Sequence, residues 1–235
     1  MRRAALTAVS AALAVAGVAC LAIGLAFQQR VPEPPAAPPA ILERAPAPVS
    51  RERVPAQASL GRVPAQASRP PTTGPVLATS APTLLEIPSI GVRSQLLQLG
   101  MAADGTLEVP PRGPTYDRAG WYRYSPTPGA LGPAVIAGHL DSAANGPSVF
   151  FRLGGLKPGD TVLVTRADGS VAVFAVDSVS RFPKARFPSE LVYGDTDHAA
   201  LRLITCGGDF DPASGHYLNN IVVLASLLRS SPPPG

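Results

Sequence analysis

The distribution of apolar and polar positions divides the chain into three stretches of different character. From Ala4 to Phe27 there are 24 residues without a charge, preceded by Arg2 and Arg3 and followed by Gln28, Gln29 and Arg30. As a helix this run would extend about 36 Å, enough to cross a bilayer. From residue 31 to 83 the apolar side chains are small and scattered, with no helical or strand period. From Leu84 onward, short apolar runs recur at close spacing, each closed by proline, glycine or a polar turn.

The runs in the third stretch read as strands. Leu84–Pro88 and Thr106–Pro110 are short extended pieces ended by proline. Pro133–Ala137 is an apolar strand running into Gly138. Thr161–Thr165 and Val171–Val176 flank Ala167-Asp-Gly169, a strong hairpin signal. Ala200–Thr205 and Ile221–Ala225 complete the set, while Ser148–Leu153 and Pro188–Tyr193 are expected to form short helices. Many short strands with turns between them predict an all-β, closed or sandwich-like domain.

Composition sharpens this division. Residues 31–83 contain 13 prolines and two copies of one heptad, Arg53-Val-Pro-Ala-Gln-Ala-Ser59 and Arg62-Val-Pro-Ala-Gln-Ala-Ser68. Such a stretch buries too little surface to offset its ordering entropy, so an extended, disordered spacer is expected. The expected organisation is an N-terminal arginine pair and membrane segment over 1–30, the Pro-rich linker over 31–83, a folded domain over 84–229 and a frayed tail over 230–235.

Charge follows the same boundaries. Residues 1–83 carry eight arginines against three glutamates, whereas residues 84–235 carry 12 basic and 13 acidic groups. The folded part therefore has no basic stripe, and nucleic acid is not an expected partner. The length of the apolar run favours an uncleaved anchor over a signal peptide, whose apolar core is about 7–15 residues. Paired arginines ahead of it predict a cytoplasmic N-terminus, with the remainder outside the cell. Cys20 reads as a small apolar residue of that span, since Gly17 does not suit a lipoprotein signal.

The candidate chemistry centres on Cys206, which ends the strand Leu201–Thr205 and precedes Gly207 and Gly208. Outside a membrane it would be a lone thiol where disulfides form. A reactive thiol needs a base or cation beside it; a buried core cysteine does not. Of three histidines, His198 and His216 lie in polar stretches and read as solvated imidazoles. His139, in Gly138-His-Leu-Asp141, ends a strand next to glycine as Cys206 does, and the two could converge on one rim of a barrel. Asp141 reads as a turn former. The single cysteine and scattered histidines lack metal-ligand spacing, and the acids form no dense cluster for calcium. No phosphate-binding or dinucleotide-binding glycine pattern occurs, so no metal and no cofactor are expected.

Ala119-Gly-Trp-Tyr122, Ser125-Pro-Thr-Pro-Gly129, Gly132–Asp141 and Leu201–Gly208 together resemble the sortases, most closely the class E/F group of actinobacteria. The resemblance implies an eight-stranded β-barrel and a cysteine transpeptidase. Such an enzyme cuts an Leu-Pro-x-Thr-Gly-like sorting signal, holds the acyl group as a thioester and passes it to an amine of a cell-wall precursor. The implied partners are sorting-signal peptides of surface proteins, the peptidoglycan precursor amine and the membrane. Carried over by residue, Cys206 resembles the nucleophile and His139 the general acid/base. The family's arginine has no counterpart: Asn220 stands at the aligned position, Leu218 two residues before it, and no arginine lies between Cys206 and Ser226. Asn220 offers an amide donor. Arg202, four residues from Cys206 on the same strand face, offers a cation. Trp121, Tyr122 and Tyr124 are expected in core or rim packing, and Ser125–Gly129 as a rigid loop near His139. Two other readings compete: an L,D-transpeptidase-type wall enzyme, and a non-catalytic or degraded membrane-tethered β-module.

Overall fold

The hairpin expected around Ala167-Asp-Gly169 forms, with Gly169 at φ 80° closing its turn, and its two strands belong to the main sheet. The structure is a computed structural model that describes residues 31–36 and 73–232. In chain order the strands are β1 (Pro82–Ile87), β2 (Val92–Gln95), β3 (Leu97–Leu99), β4 (Gly120–Tyr122), β5 (Gly132–Ala137), β6 (Asp141–Ser142), β7 (Gly146–Pro147), β8 (Thr161–Arg166), β9 (Val171–Pro183), β10 (Ala199–Asp211) and β11 (His216–Ser231). One short helix, α1 (Ser189–Tyr193), follows β9.

Nine strands make the principal sheet, in the order β2-β1-β8-β9-β11-β10-β5-β4-β3, and β6 and β7 form a separate two-stranded ribbon. The expected count of eight is therefore corrected to nine. The two edge strands β2 and β3 are consecutive in sequence, joined only by Leu96. The chain itself thus spans the seam, and the sheet curls into a nearly closed all-β barrel. Closure matters because an open edge leaves unpaired N–H and C=O groups.

Alternation within the central strands sorts side chains to two faces. Leu201, Leu203, Ile221, Val223, Phe174, Val176, Ala134 and Ile136 enclose the barrel interior with Trp121 and Phe150. Val135, Ile204, Val222 and Phe182 form a second, smaller cluster on the opposite face, covered by Val192 of α1 and by Phe187, Leu191, Leu107 and Tyr122. This second face carries the candidate site.

Several expected elements change. Thr106–Pro110 is not a strand; only Leu107 makes a bridge, to Met101. The helix expected at Ser148–Leu153 is turns leading into a 3-10 turn at Leu153–Gly155, whereas Pro188–Tyr193 does contain α1. β9, β10 and β11 run far beyond their apolar centres because they pair along 13 to 16 residues each. The expected tail begins too early, since Ser230 and Ser231 pair with Ala172 and Val171.

The spacer expected over 31–83 is also shortened at both ends. The Pro35 carbonyl accepts the Arg181 N–H at 3.1 Å, Glu33 pairs with the Arg181 guanidinium, and Pro32 packs over Gly154, where any Cβ would collide with its carbonyl. At the other end, Thr73 and Leu77 donate backbone bonds to Asp197 and Gly129. Residues 37–72, the anchor expected over 1–30 with Cys20, and residues 233–235 lie outside the described residues. Among the described residues no helix is long and apolar enough to cross a membrane.

Candidate active site

The site is set by strand register. β5 and β10 run parallel, pairing Val135 with Arg202 and Ala137 with Ile204, and the Gly138 N–H continues the ladder to the Ile204 carbonyl at 3.1 Å. Two residues further along each strand are His139 and Cys206. They are therefore level with one another on the face of the second cluster. On the other side of β10, Cys206 is opposite Asn220 of β11, which is in turn opposite Phe182 of β9. Three adjacent strands and the segment just past the end of β5 thus contribute one row: His139, Cys206, Asn220 and Phe182.

The glycines flanking this row serve packing. A Cβ on Gly138 would meet Val149 and Phe150, and one on Gly207 would meet Ile221. Gly208, at φ 71°, lies in the irregular stretch between Gly207 and Phe210 where β10 slips register against β11, and its missing Cβ leaves room for Asn219. That slip begins just past Cys206, whose side chain is half-buried.

His139 is firmly held. Its ring stacks on Tyr116 at 4.0 Å between centroids and 5° between planes. Its Nε2 lies 2.8 Å from the Pro110 carbonyl oxygen. A carbonyl only accepts, so Nε2 carries the hydrogen and donates it, and in the neutral ring Nδ1 is the free base.

Two clefts meet at the row, sharing His139, Lys184 and Cys206. The first, about 650 Å³, is mainly apolar, with Leu107, Val109, Tyr122, Phe187 and Tyr193 among its walls and Asn220 and Thr205 at its floor. Thr205 is buried and its hydroxyl has no partner. The second, about 500 Å³, is the more polar of the two, with Arg112, Tyr116, Asp141, His216 and Tyr217 around it. Here the Tyr217 hydroxyl donates to Asp141 Oδ2 at 2.6 Å and the Tyr116 hydroxyl donates to the Asp141 carbonyl at 2.7 Å. Burial, followed by the hydrogen bond and charge of Asp141, pushes the Tyr217 phenol well above its ordinary value. Burial and then Asp141 raise Tyr116 in the same direction.

The structure brings Cys206, His139 and Asn220 together and leaves Arg202 apart. Arg202 shares the strand face of Cys206, but four strand residues separate them by about 13 Å. It is buried, lines neither cleft and donates to the carbonyl of its neighbour Leu201 at 3.2 Å. Burial lowers its pKa, opposed in part by Asp177. Leu218 is exposed. His198 is paired with Asp197 at 2.9 Å away from the site, whereas His216 borders the polar cleft. The Ser125–Gly129 loop is not near His139: the Ser125 hydroxyl accepts from Val135 N–H, and the Ala130 N–H donates back to Thr127, toward the opposite end of β5. Trp121 is buried in the barrel and donates to the Pro126 carbonyl at 3.1 Å. Tyr124 is exposed. Lys184 went unnoticed in the sequence, yet its Nζ stands 3.6 Å from Cys206 Sγ. Its only local signal is the bracketing Phe182-Pro183 and Phe187-Pro188, which says a connection is stiff but not where it points. No group of metal-ligating side chains is found among the described residues.

Residues 85–228 match the family pattern described as sortase domain. Comparison with curated proteins finds no match. Among solved structures, the chain is similar to sortase A of Listeria monocytogenes, at 17% identity and a TM-score of 0.47, covering 66% of this chain and 90% of that one. It is similar to the Sortase D5 transpeptidase of Clostridium perfringens at 19% identity and 0.46, covering 64% and 79%. It is also similar to the SrtA sortase from Actinomyces oris at 21% and 0.46, covering 70% and 89%.

Proposed function

Given that the chain belongs to the sortase family, we propose that it is a cysteine transpeptidase whose nucleophile is Cys206 and whose general acid/base is His139. The observation that carries this reading is the parallel register of β5 and β10, which sets a free thiol level with an oriented imidazole where two clefts meet. The motifs Ala119–Tyr122 and Gly132–Asp141 support membership of the class E/F group.

The two clefts suit two substrates. An extended sorting signal of the Leu-Pro-x-Thr-Gly kind, apolar at its leading end, takes the cleft of Leu107, Tyr122, Phe187 and Tyr193. Cys206 loses its proton to His139 Nδ1, and its sulfur attacks the scissile carbonyl carbon. The carbonyl reforms as the C–N bond breaks, and the leaving amine takes the proton from His139. A thioester remains. An amine of a cell-wall precursor enters by the polar cleft, where Asp141 attracts an ammonium group. His139 deprotonates it, and its attack on the thioester restores the thiol. Asn220, next to the sulfur, offers an amide hydrogen to the carbonyl oxygen; one such donor typically lowers a barrier by about 3 kcal/mol. The uncharged run 4–27 supports a single-pass membrane anchor with the catalytic domain outside the cell.

The test is acyl transfer. Incubation with a fluorescent sorting peptide and an amine should give a peptide–amine product that disappears in Cys206→Ala. Product formation that survives this substitution would reject the reading.

A further inference from the structure

We propose that Lys184 is the cation of this site, acting as a catalytic residue that holds the Cys206 sulfur as a thiolate; this rests on the transpeptidase reading above. The family's arginine is sought on β11, at Asn220 or Leu218, and neither carries a charge. The register of β9 against β11 explains where the charge went. Phe182 pairs with Asn220 and Pro183 with Asn219, so the next residue, Lys184, stands level with Leu218 but one strand over. A 3-10 turn, Lys184–Arg186, begins here, and Pro183 at φ −59° fixes the direction of entry. The Lys184 ammonium ends 3.6 Å from the Cys206 sulfur, and Leu218 is exposed.

Other charges around the sulfur do not duplicate this one. Arg112, Tyr116, His139, Asp141, His216 and Tyr217 border the polar cleft, and Tyr122 and Tyr193 the apolar one. Asp141 is engaged by the Tyr217 hydroxyl. The His139 ring is held by Pro110 and Tyr116. Lys184 alone, among the described residues, has a cationic group in contact with Sγ. An ammonium lowers a thiol's pKa without exchanging a proton with it. The step is then simple. The S–H proton passes to His139 Nδ1, the sulfur keeps its electron pair opposite the Lys184 ammonium, and that pair forms the new C–S bond.

The measurement is the pH dependence of Cys206 alkylation by iodoacetamide, in the wild type, Lys184→Gln and Lys184→Arg. A neighbouring cation favours the charged form of a thiol. The midpoint is expected to rise in Lys184→Gln and to return in Lys184→Arg. Peptide transfer should fall about tenfold in kcat in Lys184→Gln, with KM for the peptide changed less than about twofold. An unmoved alkylation midpoint in Lys184→Gln, or Lys184→Arg behaving as Lys184→Gln does, would overturn the proposal. Because alkylation needs no peptide, it reads the role of Lys184 even where the wild-type chain transfers no sorting signal, and that second result would sink the transpeptidase reading alone.

Discussion

The two clefts that meet at Cys206 share three side chains and differ in almost everything else. The apolar cleft is a continuation of the second hydrophobic cluster: Leu107, Tyr122 and Phe187 are at once its walls and part of the packing over Val135, Ile204 and Val222. The polar cleft is built on hydrogen bonds, with Tyr217 and Tyr116 fastened to Asp141. The change from one to the other falls where β10 slips register against β11 after Gly207, just past Cys206. Two surfaces of different polarity thus meet at a single sulfur.

The comparison can be broken at the shared centre or on either side. The largest effect is expected at the centre. His139→Ala removes the proton carrier for both half-reactions, so transfer should fall about 1,000-fold in kcat, with the peptide KM little changed. Steady-state kinetics with separate variation of peptide and amine would show it, and a loss confined to one substrate's KM would contradict it. Next comes the apolar side. Leu107→Asp sets a carboxylate against an apolar peptide and should raise the peptide KM about tenfold while leaving the amine KM alone. Asp141→Asn is the mirror experiment. It should raise the amine KM about fivefold and spare the peptide, as expected for a partly exposed ion pair. Equal effects of either substitution on both substrates would merge the two clefts into one.

The smallest effect is on stability. The Tyr217 phenol has its folded-state pKa raised above the ordinary value of 10.0. A raised pKa means that the folded state favours the protonated form, so the stability it contributes is complete below about pH 10 and declines as pH rises toward the folded value. Chemical denaturation from pH 8 to 11 should show stability falling above about pH 10, with a shallower fall in Tyr217→Phe. Identical slopes would show that the phenol does not couple to folding.

Much of this was legible in the chain. Cys206 and His139 could be singled out because each closes an apolar run beside glycine, but β10 continues through Cys206 to Asp211, so only His139 lies past a strand end. The reason for the glycines was not legible, since Val149, Phe150 and Ile221, which occupy the missing Cβ positions, come from elsewhere in the sequence. Arg202 illustrates how periodicity misleads: alternation gives the correct face, but four residues of strand place the guanidinium far from the sulfur. Lys184 illustrates the converse. Its closeness to Cys206 depends on two non-local registers, β9 with β11 and β11 with β10, which no local pattern encodes. The long extensions of β9, β10 and β11 were hidden for a related reason, because their polar ends are held by pairing with neighbours and not by apolar alternation. Thr106–Pro110 had the look of a strand but lacks a partner ladder, and serves as a wall of the apolar cleft.

The most direct test of the central claim is the intact mass of the protein after exposure to a sorting peptide with no amine present. Formation of a thioester at Cys206 predicts a mass increase equal to the acyl fragment, localised to Cys206 by digestion, absent in Cys206→Ala and discharged by hydroxylamine. Peptide cleavage with no adduct on Cys206, or an adduct on another residue, would contradict it.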